Sequence, residues 1–530
     1  MEREQKTAEN TPVLIVGGSL VGLSAALFLA WQKVPVILVE KHRGSSLHPR
    51  AIGYTTRTVE LYRAAGIEDQ LPKNQKHFQL KRATVESLEG KWMQDTEWTP
   101  GQKKESVYGD IEYSPVKGVA IAQDGLEPIL RNKALELGAD LRLGTQLVHF
   151  HQDQEAVTAL VRERDSGREY TIRASYMIAA DGNDSPVRQA LQIGRKGRGL
   201  MNVVRSVLFR APLDHYLEKG VSQFEIEQPD LKAFLTTYRD GRWVLMFTDD
   251  IERSEEQTLA AIRKAIGRDD IPVEIITKGR WELSALITNQ FSEGRIFLAG
   301  DAAHTLPPTR GGFGANTGIH DAHNLAWKLA AVLSGASGPK LLATYNEERW
   351  PVAWNRYQQT FIRPDYAQYA KHEDLEGVEL FDDISMELGQ LYRSEAIIGA
   401  EASLPLAKRP DEWNGQPGTR ANHVWLIKDG YRISSLDLLN GKWVLLTENQ
   451  AWCAAFQKVA AQTKCEVGCI RIGTDVLAED AEAFRMAYGI GQRGASLIRP
   501  DGYVACRWSD LPENHEQRLQ EAFNKVSFSI

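Results

Sequence analysis

The sequence predicts an α/β protein: a Rossmann-type dinucleotide-binding domain interleaved with a mixed β-sheet domain, then a separate C-terminal α/β unit. Three observations lead there. Residues 13–30 read VLIVGGSLVGLSAALFLA, and a second apolar run at 34–39 closes on Glu40. Two later apolar runs end in Asp181-Gly182 and in Gly300-Asp301. Between them, residues 203–287 alternate apolar and polar side chains and are rich in aromatics, the mark of an antiparallel sheet with one face on a core or cavity.

The first stretch has the order strand, glycine turn, helix, strand, acid, which is the dinucleotide-binding βαβ unit. Gly17 and Gly18 break the strand 13–16 and permit a tight turn. Ser19 is small enough for backbone to approach a pyrophosphate, and Gly22 lets the following helix pack on the strand. The helix N-terminus offers its unpaired N–H groups to the anion. Glu40 stands eighteen residues after Gly22, placed to accept a ribose hydroxyl. The G-x-G-x-x-G pattern wants glycine where this chain has Ser19. Residues 10–32 carry no charge, so a signal peptide or membrane anchor is the competing reading. Glycines in mid-span, the lack of a small-residue cleavage pattern and the immediate return to strand oppose it.

With 530 residues the chain has room for two to four domains. Its 25% charged and 42% hydrophobic residues suit a soluble globular protein, and a net charge of −7 gives no footprint for nucleic acid. Cys453, Cys465, Cys469 and Cys506 match neither a zinc ribbon nor a CxxC pair, so a reduced, cytoplasmic protein is expected.

Residues 1–11 read as a polar, unstructured start. Arg50, just beyond the acid-terminated strand, points to a cofactor contact, and 55–65 to an amphipathic helix. Residues 78–118 suggest strands of another layer. Gln123 precedes a helix over 126–138, and strands follow at 141–143, 147–150, 157–162 and 169–172. His149 and His151 fit an exposed strand better than a metal site. The strand ending at Asp181 leads to a polar loop where an α/β sheet places ligand contacts. In 203–287, Phe224, Thr236, Tyr238, Trp243, Met246 and Phe247 are candidates for a flat apolar ligand, with a helix over 255–266 across the sheet. The glycine loop 309–316 feeds a helix over 318–333, again a cradle for an anion or polar ring. His320 and His323 on that helix read as surface histidines. Residues 341–395 read as helical, with Tyr345, Trp350 and Trp354 as packing residues. Residues 403–418 read as a linker. Beyond it come strands near 443–446 and 467–472, a helix over 451–463 and a hairpin around Arg499-Pro500-Asp501-Gly502.

The glycine turn at 17–22, the Asp181-Gly182 loop and the Gly300-Asp301 strand end together resemble the single-component (class A) FAD-dependent aromatic hydroxylases, with the p-hydroxybenzoate hydroxylase fold. The likeness extends through His48-Pro49-Arg50-Ala51 and residues 317–329. Residues 494–502, GASLIRPDG, look like the thioredoxin-like domain of phenol and aromatic-polyketide hydroxylases. The resemblance implies an FAD-binding domain in three parts (11–77, 119–186, 291–402) and a substrate domain in two (78–118, 187–290). The linker 403–418 and a thioredoxin-like domain, 419–530, complete it. Gly17, Gly18, Ser19 and Gly22 would cradle the pyrophosphate, with Glu40 and Lys41 at the adenosine ribose. Arg50 and Gln123 would contact the phosphate and ribityl portions, and Gly300-Asp301 the ribityl chain. Asp181 and Gly182 lie in the loop used for both FAD and NADPH. Pro307, Gly311, Gly312, Gly314, Ala315 and Asn316 would line the isoalloxazine ring. Arg310 departs from the small residues usual in that loop. Without a CxxC pair, the last domain would be structural.

The implied activity is monooxygenation. NADPH or NADH would reduce FAD, O2 would give a C4a-hydroperoxide, and the ring of a phenolic or polycyclic, polyketide-like substrate would take the distal oxygen. Tyr238 and Arg239 are the candidates for catalytic assistance. Baeyer–Villiger insertion, inactivation of an aromatic antibiotic and non-catalytic FAD binding are the alternatives. The implied partners are a small aromatic substrate and, at most, a second copy of the chain, with no metal, nucleic acid or membrane.

Overall fold

A computed structural model describes residues 8–49, 51–73, 81–96, 111–308, 312–364 and 366–529. The first sheet holds β1 (Glu9–Val16), β2 (Val36–Glu40), β3 (Asp140–Leu143), β4 (Glu169–Ala179) and β5 (Ile296–Leu298). Their spatial order is β5-β4-β1-β2-β3, all parallel. Val13 sits between Val36 and Tyr176, so the apolar runs pair side by side at the centre of the sheet. β1 starts earlier than expected: Glu9 to Thr11 pair with 172–174 and are not part of a loose terminus. β4 is one strand where the sequence suggests two, because its first half pairs antiparallel with 157–163 and its second half lies in the buried centre.

Ten of the twelve residues of α1 (Leu20–Trp31) are buried. The helix packs against α3 (Gln123–Glu136) and a later helix, and α2 (Thr56–Ala64) lies nearby. A helix enclosed by protein has no use for charge, which accounts for the uncharged stretch. No helix among the described residues is long and apolar enough to cross a membrane.

The second sheet orders strands 304–305, 274–288, 195–210, 242–247, 231–237, 221–228, 81–85 and 92–96. It is antiparallel except where 81–85 runs parallel to 221–228. One face packs on α4 (Glu255–Ile266) around Phe224, Leu235, Trp243 and Ile262; the other faces a cavity. α4 has the bounds read from sequence because Ser254 and Gln257 form a capping box and Gly267 takes the left-handed stop.

α5 (Phe313–Leu333) begins at the glycine loop, five residues earlier than expected, and α6 (Ala343–Ile362) packs against it. His320 and His323 on α5 are buried, which corrects the surface reading. His320 shares a 3.1 Å hydrogen bond with Thr58, and His323 meets the Phe28 ring edge-on. Their helix has neighbours on every side, which local sequence does not reveal.

The C-terminal unit has strands 467–471, 443–447, 495–498 and 504–508 in that order, the first pair parallel and the rest antiparallel, with helices 450–460 and 515–527. Cys453 and Cys469 are disulfide-bonded with Cα atoms 5.6 Å apart, so the expectation of reduced thiols fails for this pair. Helix and adjacent strand bring them together, which a spacing of 16 residues does not disclose. Residues 403–418 are not a loose linker. Trp413 is buried and donates to the Gly389 carbonyl at 2.7 Å, and the Gly418 N–H donates to Val504. The unit shares one core with α5, where Trp327 meets Trp443 edge-on.

A buried ion network fastens this seam. The Glu348 carboxylate on α6 accepts from Arg499 at 2.6 and 2.8 Å, from Lys328 at 2.8 Å and from Asn324 at 2.7 Å. Arg499 also pairs with Asp501, and Arg57 of α2 donates to the Asp501 carbonyl at 2.9 Å. Two cations and two anions close the balance with none of them meaningfully exposed. Burial pushes the Glu348 carboxyl up, but Arg499 and Lys328 outweigh it and hold it well below the usual range.

Removing one partner of such a network strands the others. Glu348→Ala is therefore expected to cost about 3–5 kcal/mol in urea unfolding, whereas Lys458→Ala, at an exposed pair with Glu516, should change stability by about 0.5 kcal/mol or less. Burial lowers His323 to about 3 and depresses His320 too. The unfolded state then binds the extra protons, so stability is present above about pH 6.5 and falls below it by about 1.4 kcal/mol per pH unit per histidine. Unfolding midpoints measured between about pH 7 and 5 should drop steeply, and His323→Phe should make that slope shallower.

Candidate active site

A cavity of about 2800 Å³ runs from the C-terminal ends of β1, β2 and β4 to the open face of the second sheet. Its inner end is the glycine turn. Gly17 has φ +105°, and a Cβ there would stand 2.2 Å from the Ala180 carbonyl oxygen. A Cβ on Gly22 would stand 1.8 Å from the Gly17 oxygen. Glycine at both places lets β1, α1 and the Asp181 loop meet at backbone distance.

Glu40 accepts from the Gly18 N–H at 2.6 Å and the His42 N–H at 2.7 Å, so its carboxylate is fixed at the cavity rim with lone pairs to spare. Lys41 lies beside it on the exposed side. Ser19, in the expected glycine's place, donates to Glu127 at 2.7 Å, and Gln123 donates to both Ser19 and Glu127. Glu127 escaped the sequence reading; its signal is the four-residue spacing from Gln123 on one face of α3.

The Val187 N–H donates to Asp181 Oδ2 at 3.1 Å, while Oδ1 is buried without a partner. Burial raises the Asp181 carboxyl above its ordinary value, with the hydrogen bonds opposing. Gly182, Asp301, Pro307, Gly312, Gly314 and Ala315 line the same cavity. Behind Asp301, Asp321 of α5 accepts from the Gly300 N–H at 3.2 Å, from His304 at 2.6 Å and from Arg349 at 2.7 Å. Arg50 and Gly311 lie outside the described residues.

Several sequence expectations change. Asn316 does not face the cavity. Its amide is buried and bonded to Thr55, Thr58, Gly53 and Gly312, so it braces the loop. Phe224 and Trp243 belong to the core under α4, since strand alternation turns them to the other face from Thr236 and Met246, which line the cavity with Phe234. Phe247 borders both. Tyr238 lines the cavity, but its hydroxyl donates to the Pro49 carbonyl at 2.6 Å and burial raises its pKa, so it is poorly placed as a base. Arg239 sits in the turn at φ +60° and is not part of the wall. Among the described residues, no three metal-ligating side chains group together.

The cavity fits a flavin dinucleotide on three counts: a turn of glycines without side chains at its inner end, an orphaned carboxylate oxygen on Asp181, and a buried Tyr54 hydroxyl on its wall with no partner. Fold and site thus define an FAD-dependent monooxygenase. The FAD binding domain family matches residues 10–360, and the aromatic-ring hydroxylase C-terminal family matches 414–527; the chain belongs to this hydroxylase family. A 4-methyl-5-nitrocatechol 5-monooxygenase from a Burkholderia species is 37% identical over 97% of both chains. The tetracenomycin A2 monooxygenase-dioxygenase of Streptomyces glaucescens is 38% identical over 98% of this chain and 97% of its own. A crystal structure of aklavinone-11 hydroxylase with FAD and aklavinone superposes with a TM-score of 0.87 at 33% identity, covering 98% of this chain and 99% of that one.

Gly22→Ala is expected to yield folded protein that has lost most of its bound FAD, since the new methyl must push α1 away from Gly17. Flavin absorbance per protein after desalting, beside far-UV circular dichroism, checks this.

Proposed function

We propose that this chain uses NAD(P)H and O2 to hydroxylate a phenolic, polycyclic aromatic substrate. One observation carries the reading: a single cavity joins the dinucleotide cradle to the Thr236–Met246 wall of the second sheet, so cofactor and substrate share one continuous space. The relatives' names, which include a nitrocatechol monooxygenase and a tetracenomycin monooxygenase-dioxygenase, support it. Bound FAD supplies the oxygen-activating chemistry, and the protein positions it and excludes water. Gly17, Gly18, Ser19 and Gly22 bring backbone to the pyrophosphate, and Glu40 accepts the ribose hydroxyls. Asp181 and Asp301 hold the polar middle of the cofactor, with Asp301 fixed from behind by the Asp321 hub. Gly312 and the first turn of α5 present unpaired N–H groups toward the ring, where they favour negative charge. Phe234, Thr236 and Met246 give this face an apolar patch beside the Arg82–Glu225 pair, suited to a flat ring system with polar substituents.

The purified protein is expected to be yellow and to oxidise NADPH or NADH faster when phenols or anthraquinones are added. Mass spectrometry should find a product heavier by one oxygen. Colourless protein, or nicotinamide oxidation indifferent to the whole panel, would overturn the reading.

A further inference from the structure

The cavity wall beside the flavin cradle carries a carboxyl that the reading above leaves without a task. α7 (Asp383–Leu388) and the segment 366–369 close the cavity next to Pro307 and Pro308, where the Tyr366 hydroxyl donates to the Pro308 carbonyl at 2.7 Å. Glu387 of α7 lines this part of the wall.

Of the other carboxylates on the wall, Asp181 and Asp301 serve the cofactor in the reading above, Asp184 is exposed, and five more are engaged. Glu40 holds two backbone N–H groups and Glu127 holds Ser19 and Gln123. Glu225 pairs with Arg82 at 2.9 Å, Glu282 with Arg280 at 3.2 Å, and Asp383 with Arg363 at 2.8 Å. Glu387 has no salt bridge among the described residues, and the Thr56 N–H at the start of α2 favours its charged form. The charged groups that face it are Asp383 on its own helix, Arg356 from α6 and Glu60 from α2, with His320 of α5 beside Arg356. Arg356 is buried, with Nε and Nη1 lacking partners and Nη2 donating to the Met386 carbonyl at 3.3 Å. Its charge therefore tempers the site from a distance without fixing the Glu387 carboxylate. Burial, with Asp383 and Glu60 adding, pushes Glu387 up to about 7 against the pull of Arg356 and Thr56.

We propose that Glu387 is the proton acceptor for an ionisable hydroxyl of the aromatic substrate, an inference that rests on the phenolic-substrate reading. The substrate O–H bond breaks, its electron pair stays on oxygen as phenolate, and Glu387 becomes the neutral acid. The chamber's net charge is unchanged. The proton passes to solvent or back to the same oxygen when product leaves. A wall carboxyl poised near neutrality serves this better than an ion-paired one, because both of its states are accessible at the working pH.

The test uses FAD-loaded enzyme and 2-naphthol, which is neutral in solution at about pH 8 and whose anion absorbs at longer wavelength. The wild type should show a phenolate band on binding, in weak buffer at about pH 8, where Glu387 starts as the carboxylate, without releasing a proton to an indicator dye, because Glu387 retains it. Glu387→Gln should form at least about tenfold less phenolate and lose about 100-fold in kcat on phenols, with KM moving much less. A nitrophenol already ionised in solution should recover much of that loss. One proton released per phenolate formed by the wild type, no phenolate band at any ligand concentration, or a wild-type band in Glu387→Gln would each overturn the proposal. The proton count needs no variant, so it stands if Glu387→Gln fails to fold. Wild-type turnover to a product heavier by one oxygen is read separately; if it persists while the proton count fails, this proposal falls and the hydroxylase reading does not.

Discussion

The cofactor end of the molecule depends on a few points where backbone meets backbone with no room for a side-chain carbon. Gly22 lies on Gly17, Gly17 on Ala180, and Gly318 on Gly300, whose Cα would be 2.8 Å from an added Cβ. These contacts draw the ends of β1, β4 and β5 and the starts of α1 and α5 into one small volume. Three motifs spread over some three hundred residues thereby become one object, and Glu40, Asp181 and Asp301 open on the same cavity.

Polar side chains then hold what the glycines bring together. Asp321 ties the Gly300–His304 turn to α5 and α6, and Arg349 carries the connection on to Tyr392 at 2.7 Å. Tyr392 stacks on Tyr503 with centroids 4.0 Å apart, which reaches the C-terminal unit. Arg420, from the C-terminal unit, and Arg57 both pair with Glu60 of α2. These groups are shielded from water, so their geometry is more sharply defined than that of the exposed pairs on the surface.

What could be read in the sequence was whatever depends on local chemistry. The glycine turn, the bounds of α4 and the strand ends at Asp181 and Asp301 follow from chemistry within a few residues of each. What could not be read depends on which side of an element meets what. Trp243 and Met246 occupy one strand with equal claim to a pocket, and the position of α4 decides between them. His320 and His323 look like surface residues until three other helices surround α5. Glu127 and Glu387 carry no motif, and their importance comes from neighbours on distant segments. Asn316 sits in the right loop, but its amide is spent on holding that loop in place.

The seam around Glu348 also bears on how the protein is made. α5 frames the flavin chamber with its first turn, while Asn324 and Lys328 further along it are satisfied through Glu348 in concert with Arg499 and Asp501. A ribosome-bound chain that has emerged only as far as α6 holds the Glu348–Lys328 pair but not the Arg499–Asp501 pair that completes the network. A chain cut before Arg499 therefore keeps every residue of the chamber's lining, yet it leaves Glu348 without two of its buried hydrogen bonds, beside the helix whose first turn frames that chamber.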